Sequence, residues 1–137
     1  MGVSPVTKPE TQLATLVVIE DDPDVQTLIE TIFSMDSRFT LARVAASAEA
    51  ALESVRTSEP GIIVLDHGLA GSLTGLDAAP RLKSLAPQAK IILFTAHAEL
   101  QPRADEEPAI DAFLLKTDPK QLLPLAQRLT GLSPART

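Results

Sequence analysis

The sequence predicts an α/β fold in which helices cover both faces of a five-stranded parallel sheet. Two observations predict it. Five short apolar runs alternate with five segments of helical character, giving the order (βα)₅. The first, third and fourth runs are apolar at every position, as parallel strands buried on both faces require.

The first strand is read at Leu16-Val17-Val18-Ile19 and stops at Glu20-Asp21-Asp22. Asp22-Pro23 then opens a helix, because Asp is a good N-cap and Pro is favoured at the first helical position. Val25, Leu28, Ile29, Ile32 and Phe33 follow as one apolar stripe. Phe39–Val44 is a second, weaker strand. Ser47 is expected to cap a second helix with Ala48, Ala51, Leu52 and Val55 on its inner face, and Pro60-Gly61 to stop it. Ile62-Ile63-Val64-Leu65 is the third strand and runs into Asp66. A loop rich in Gly, Ser and Thr leads to a third helix near Leu76–Leu85, whose hydrogen bonding Pro80 is expected to interrupt.

Ile91–Phe94 and Ala112–Leu115 are the fourth and fifth strands, ending in Thr95-Ala96 and Lys116. Between Ala98 and Ala109, two prolines and the lack of an apolar stripe predict a short or irregular fourth helix. Asp118-Pro119 repeats the cap-plus-proline start, with Gln121 at the capping-box position and Leu122, Leu125, Ala126 and Leu129 as the last stripe. Residues 1–12 read as a disordered leader, 13–132 as one domain and 133–137 as a tail. Right-handed crossovers make this a doubly wound, flavodoxin-like sheet, whose strand order 2-1-3-4-5 comes with the fold.

Composition narrows the function. The chain has 137 residues, no Trp or Tyr and four Phe, so an aliphatic core is expected. A net charge of −6 and the lack of any Lys/Arg cluster argue against nucleic acid, whose binders need a basic patch. The absence of Cys excludes disulfides, thiolate metal sites and thiol catalysis. No apolar run approaches the roughly 18 residues of a membrane span. The expectation is a soluble, cytoplasmic monomer or weak dimer.

Polar residues follow the apolar runs: Glu20 and Asp21, then Asp66, Thr95 and Lys116. In a parallel sheet these share one edge, where ligands bind, and the first and third strands flank the switch point. Three carboxylates there repel. A like-charged pair at about 4 Å costs roughly 1 kcal/mol in water and about 4 kcal/mol at an effective dielectric of about 20. Lys116 compensates one charge, and an oxygen-rich site without cysteine suits Mg²⁺, or else Mn²⁺.

The series Val18-Ile19-Glu20-Asp21-Asp22-Pro23, Val64-Leu65-Asp66, Phe94-Thr95-Ala96 and Phe113-Leu114-Leu115-Lys116 resembles the receiver domain of two-component response regulators. The intervals from Asp21 to Asp66, Thr95 and Lys116 are 45, 29 and 21 residues, in order, over nearly the whole chain. The resemblance implies that Asp66 accepts a phosphoryl group from a sensor histidine kinase or a histidine phosphotransfer protein. It implies Mg²⁺ held by Asp21, Glu20 (through water), Asp66 and the His67 backbone carbonyl. Lys116 would neutralise phosphoryl charge and Thr95 would bond a phosphoryl oxygen. Phe113 holds the family's aromatic switch position. Gly68 and His97 hold the positions that tune phosphoryl lifetime, here toward a long one. Such a domain is a signalling switch and not an enzyme, and one with no effector sequence after the last helix acts on a downstream protein.

Several residues carry a plainer reading. Asp22 is better read as a helix cap than a ligand, and Phe113 looks the same in sequence as a core aromatic. Two histidines, His67 and His97, are too few for a structural zinc site. The sequence also departs from the family. The loop His67–Gly75 lacks the usual Pro at Ala70 and reaches its Gly one residue late, predicting a longer, looser loop. Thr117 replaces a Pro that often follows a cis bond, and cis before Thr would cost about 3 kcal/mol. With the irregular fourth helix, these departures suit a rival, a receiver-fold module that binds without phosphate. An aspartyl-nucleophile phosphatase ranks lowest, because Gly68 stands where such enzymes place a second Asp.

Overall fold

The computed structural model describes residues 13–134. Five parallel strands lie in the order β2-β1-β3-β4-β5: β1 Ala14–Ile19, β2 Phe39–Ala45, β3 Ile62–Leu65, β4 Lys90–Thr95 and β5 Ala112–Leu115. The helices are α1 Pro23–Phe33, α2 Ala48–Ser58, α3 Gly75–Leu85, α4 Gln101–Glu106 and α5 Leu122–Thr130. The leader at 1–12 and the last three residues lie outside the described residues.

Alternation along the strands sends side chains to two cores. Val17, Ile19, Ile63, Leu65, Ile91 and Leu93 pack toward Ala51, Val55, Leu76, Leu82 and Ala104 of α2, α3 and α4. Leu16, Val18, Ile62, Val64, Ile92 and Phe94 pack toward Ile29, Ile32 and Phe33 of α1 and Leu122 and Ala126 of α5. The central strands are buried along both faces, which is why they read as unbroken apolar runs.

Local signals set most helix starts. The Asp22 side chain accepts from Asp24 N–H at 2.9 Å, with Pro23 at the first turn, and Ser47 accepts from Ala50 N–H at 3.1 Å. Two expectations need correction, those for Asp118 and Leu28. Asp118 makes no capping hydrogen bond, because the chain first forms a 3₁₀ turn at Pro119–Gln121 and α5 starts only at Leu122. Pro80 removes one backbone bond from α3, as expected, and the helix still runs on to Leu85 with Leu76, Ala79 and Leu82 buried. Leu28 is 39% exposed and leaves the α1 stripe to Ile29, Ile32 and Phe33. The Lys116–Thr117 bond, whose isomer the sequence left open, is trans, as are all the described peptide bonds.

The fourth helix is short, as expected. A 3₁₀ turn at Ala98–Leu100 leads into the six residues of α4, where Pro102 sits in the first turn and costs no internal bond.

Candidate functional site

β1 and β3 are neighbours that pair from Leu16↔Ile62 to Ile19↔Leu65, so the residues following them come together at the carboxyl edge. Glu20, Asp21 and Asp66 each present a carboxylate oxygen within 4.8 Å of the others. Backbone bonds hold them there: Glu20 N–H donates to Ala45 O at 2.9 Å and Asp66 N–H to Ile19 O at 3.0 Å. Lys116 reaches across from the end of β5, its own N–H held by Thr95 O at 2.9 Å. Its Nζ lies 2.8 Å from Asp66 Oδ2 and 2.9 Å from Glu20 Oε1.

Glu20 is 1% exposed and Asp66 7%, whereas Asp21 faces solvent. Burial raises the Glu20 pKa against the opposing pull of Lys116. For Lys116, burial by itself lowers the pKa, but hydrogen bonds to Asp66 and Glu20 outweigh it and the net shift is upward. Asp66 Oδ1 accepts from His67 N–H at 2.7 Å, and Glu20 Oε2 from Asp22 N–H at 3.1 Å. Glu20 Oε1 is buried, and among the described residues the Lys116 ammonium at 2.9 Å is its one partner.

That donor set fits Mg²⁺. It is all oxygen, holds one exposed and two buried carboxylates, and leaves a buried carboxylate oxygen with unused acceptor capacity toward a metal-bound water. The His67 carbonyl accepts from Gly75 N–H at 2.9 Å and keeps a second lone pair.

The remaining residues of interest lie around this cluster. Thr95 is fully buried, and its Oγ1 accepts from His97 N–H at 3.3 Å. Phe113 is half-buried and packs against the core that holds Leu93, Leu100 and Ala104. Gly68 is exposed, with open space where a side chain would project. His97 is exposed, its Nδ1 3.4 Å from a Glu99 carboxylate oxygen. The His67 ring is half-buried, and burial, followed by the charge of Arg103, lowers its pKa.

Three contributors escaped the sequence reading. Gln26, in the first turn of α1, donates from Nε2 to the Glu20 carbonyl at 2.6 Å, and nothing in its spacing marks it out. Gly75 lies so close to β3 that a Cβ there would overlap the Asp66 carbonyl; its place at the loop's end was the available signal. Glu49, on α2, binds the loop at Ser72, 23 positions away, so the loop expected to be loose is fastened.

A family model described as "Response regulator receiver domain" matches residues 16–127. The chain belongs to that family. Among curated relatives, a protein-glutamate methylesterase/protein-glutamine glutaminase of Natronomonas pharaonis is 32% identical over 101 residues, 71% of this chain and 28% of that protein. The nitrate/nitrite response regulator protein NarL of Escherichia coli K12 is 29% identical over 113 residues, 80% of this chain and 51% of NarL. The chain thus spans about half or less of these two relatives' lengths. In fold, it resembles the response regulator domain of Thermotoga maritima CheB, with a TM-score of 0.77 at 14% identity, covering 90% of this chain and all of that one. A two-component response regulator of the LuxR family from Aurantimonas gives a TM-score of 0.77 at 24% identity, covering 88% of each chain. The receiver domain is a signalling module of two-component systems, and domains of this kind bind Mg²⁺ in an acidic pocket and interact with histidine kinases or phosphotransfer proteins. Among the described residues, no helix is long and apolar enough to cross a membrane.

Proposed function

We propose that Asp66 accepts a phosphoryl group from the phosphohistidine of a sensor kinase or phosphotransfer protein, and that the phosphorylated domain signals by binding a protein target. The observation that carries this reading is the buried Asp66 carboxylate, 2.8 Å from the Lys116 ammonium and beside two further carboxylates at the switch point of the sheet.

An Asp66 carboxylate oxygen attacks phosphorus in line. The P–N bond to the donor histidine breaks as the P–O bond forms, and the leaving imidazole takes up a proton. Lys116 then exchanges part of its hold on Asp66 for the incoming phosphoryl oxygens, which carry the same sign of charge. Bound by Glu20, Asp21, Asp66 and the His67 carbonyl, Mg²⁺ would neutralise phosphoryl charge. The Thr95 hydroxyl, an acceptor at present, turns to donate to a phosphoryl oxygen, and Phe113 follows it inward as the switch. Gly68 and His97 flank the acyl phosphate and set its lifetime. The acidic domain binds protein and not nucleic acid, although a Staphylococcus aureus structural neighbour is described as a DNA-binding response regulator. With such a phosphohistidine donor, the domain would work in the cytoplasm.

A second reading, a module that binds without phosphate, draws on the six-residue α4. Intact mass after incubation with acetyl phosphate separates the two. One added phosphoryl group, dependent on Mg²⁺ and absent in Asp66→Ala, supports the first reading. A folded, Mg²⁺-binding protein that gains no mass, even with a cognate kinase, selects the second.

A further inference from the structure

Residues 67–74 join β3 to α3, and the two ends of this loop meet. It begins at His67, whose carbonyl is a proposed metal ligand, and closes at Gly75, whose N–H donates back to that carbonyl at 2.9 Å. Midway, the loop is fastened to the first turn of α2. Glu49 Oε2 accepts from Ser72 N–H at 3.1 Å and from Ser72 Oγ at 3.0 Å. Ser47 and Ala70 add an isolated parallel bridge beside it. Gly71 takes φ +88°, a left-handed turn that lays the backbone over the Glu49 carboxylate, where a Cβ would press on it. Hydrogen bonds from its own N–H and from Ser72 hold the Glu49 carboxyl below its ordinary pKa.

Glu49 makes no hydrogen bond or ion pair with Glu20, Asp21, Asp66 or Lys116, and its bonds run instead to the loop. We propose that Glu49 is a positioning residue for the Asp66 site: by holding Ser72 it fixes the loop that presents the His67 carbonyl, and thereby raises the site's affinity for Mg²⁺. The inference rests on the phosphoacceptor reading above. The physical reason is preorganisation. A fastened loop has already lost the freedom that Mg²⁺ binding would otherwise remove. Outer groups that orient metal ligands are known to matter in this way.

The chain has no Trp or Tyr, so Mg²⁺ binding is followed by calorimetry, with thermal midpoints from circular dichroism. In Glu49→Ala, Mg²⁺ affinity should fall by about three- to tenfold, less than for a residue bonded to a ligand itself. Phosphoryl uptake from acetyl phosphate should fall with it at low Mg²⁺ and recover at saturating Mg²⁺. Glu49→Gln, whose amide oxygen still accepts from Ser72, should regain most of the affinity. Unchanged affinity in Glu49→Ala overturns the proposal. Equal losses in Glu49→Ala and Glu49→Gln overturn it too, because the charge would then act without the tether. If Glu49→Ala does not fold, Ser72→Ala removes one of the two bonds and should show a smaller fall, and no fall overturns the proposal. Wild type that binds no Mg²⁺ brings down the phosphoacceptor reading and this inference together, whereas Mg²⁺-binding wild type matched by its variants brings down this inference alone.

Discussion

At the amino-terminal edge of the sheet, Asp36 accepts two hydrogen bonds on each carboxylate oxygen. Arg38 N and Nε serve Oδ1 at 3.1 and 2.9 Å; Arg38 Nη2 and Gln127 Nε2 serve Oδ2 at 2.7 and 3.0 Å. At the carboxyl edge three carboxylates gather, and among the described residues one ammonium, that of Lys116, pairs with two of them, Asp66 and Glu20. The first cluster is buried throughout, the second is buried at Glu20 and Asp66 and open at Asp21, and only the first is balanced. Arg38 also reaches the Ser133 carbonyl, so the first cluster staples the entry to β2 onto the end of α5. The second holds an excess of negative charge that the other described residues leave uncompensated, and such an excess is a place for a cation and a phosphoryl group. Balance in a buried cluster points to architecture, and imbalance to chemistry.

The largest break in that contrast comes from Asp36→Ala. Removing one partner from a buried ion pair should cost about 3 kcal/mol of stability, read by urea unfolding, and leave phosphoryl uptake intact at low temperature. The same pair fixes a pH dependence. Its hydrogen bonds to Arg38 depress the Asp36 pKa from an ordinary value of 3.8, so the folded state binds this proton less readily than the unfolded chain. Its contribution is therefore complete above that ordinary value and is lost as pH falls below it toward the folded value. Unfolding free energy plotted against pH should be shallower below about pH 4 in Asp36→Ala than in wild type.

At the other edge the effects on stability are smaller. Mg²⁺ at about ten times its dissociation constant should stabilise wild type by roughly 1.4 kcal/mol, a gain that Asp21→Asn should largely lose at the same concentration. Asp66→Asn, which removes one of three repelling carboxylates and one partner of Lys116, should change metal-free stability by less than about 1 kcal/mol. A loss from Asp66→Asn as large as that from Asp36→Ala would erase the distinction between the clusters.

The strands and the carboxyl-edge cluster were legible because their signals are local. A run such as Ile62–Leu65 followed at once by Asp66 names both a buried strand and its polar end. Caps at Asp22 and Ser47 were equally local, and the two prolines near α4 foretold its shortness. Where reach across the chain decided the outcome, the sequence was silent. Met35-Asp36-Ser37-Arg38 reads as a surface turn, and its partners Gln127 and Ser133 lie 91 and 95 positions from Asp36 and Arg38. Glu49 reads as an ordinary exposed helix residue until Ser72 is brought to it. Asp118 failed for another reason: the right residue types were present, but the chain turned through 3₁₀ geometry before the helix began.

Gly75 sets a rule for redesigning the neighbouring loop. Because a Cβ at that position would overlap the Asp66 carbonyl, the end of the loop is fixed by contact with β3 and not by its distance along the chain. A change in loop length has to leave a glycine as the first residue of α3, with Thr74 capping it and Ser72 still bonded to Glu49. An aligner or designer should therefore anchor on that glycine and let the gap fall inside the loop.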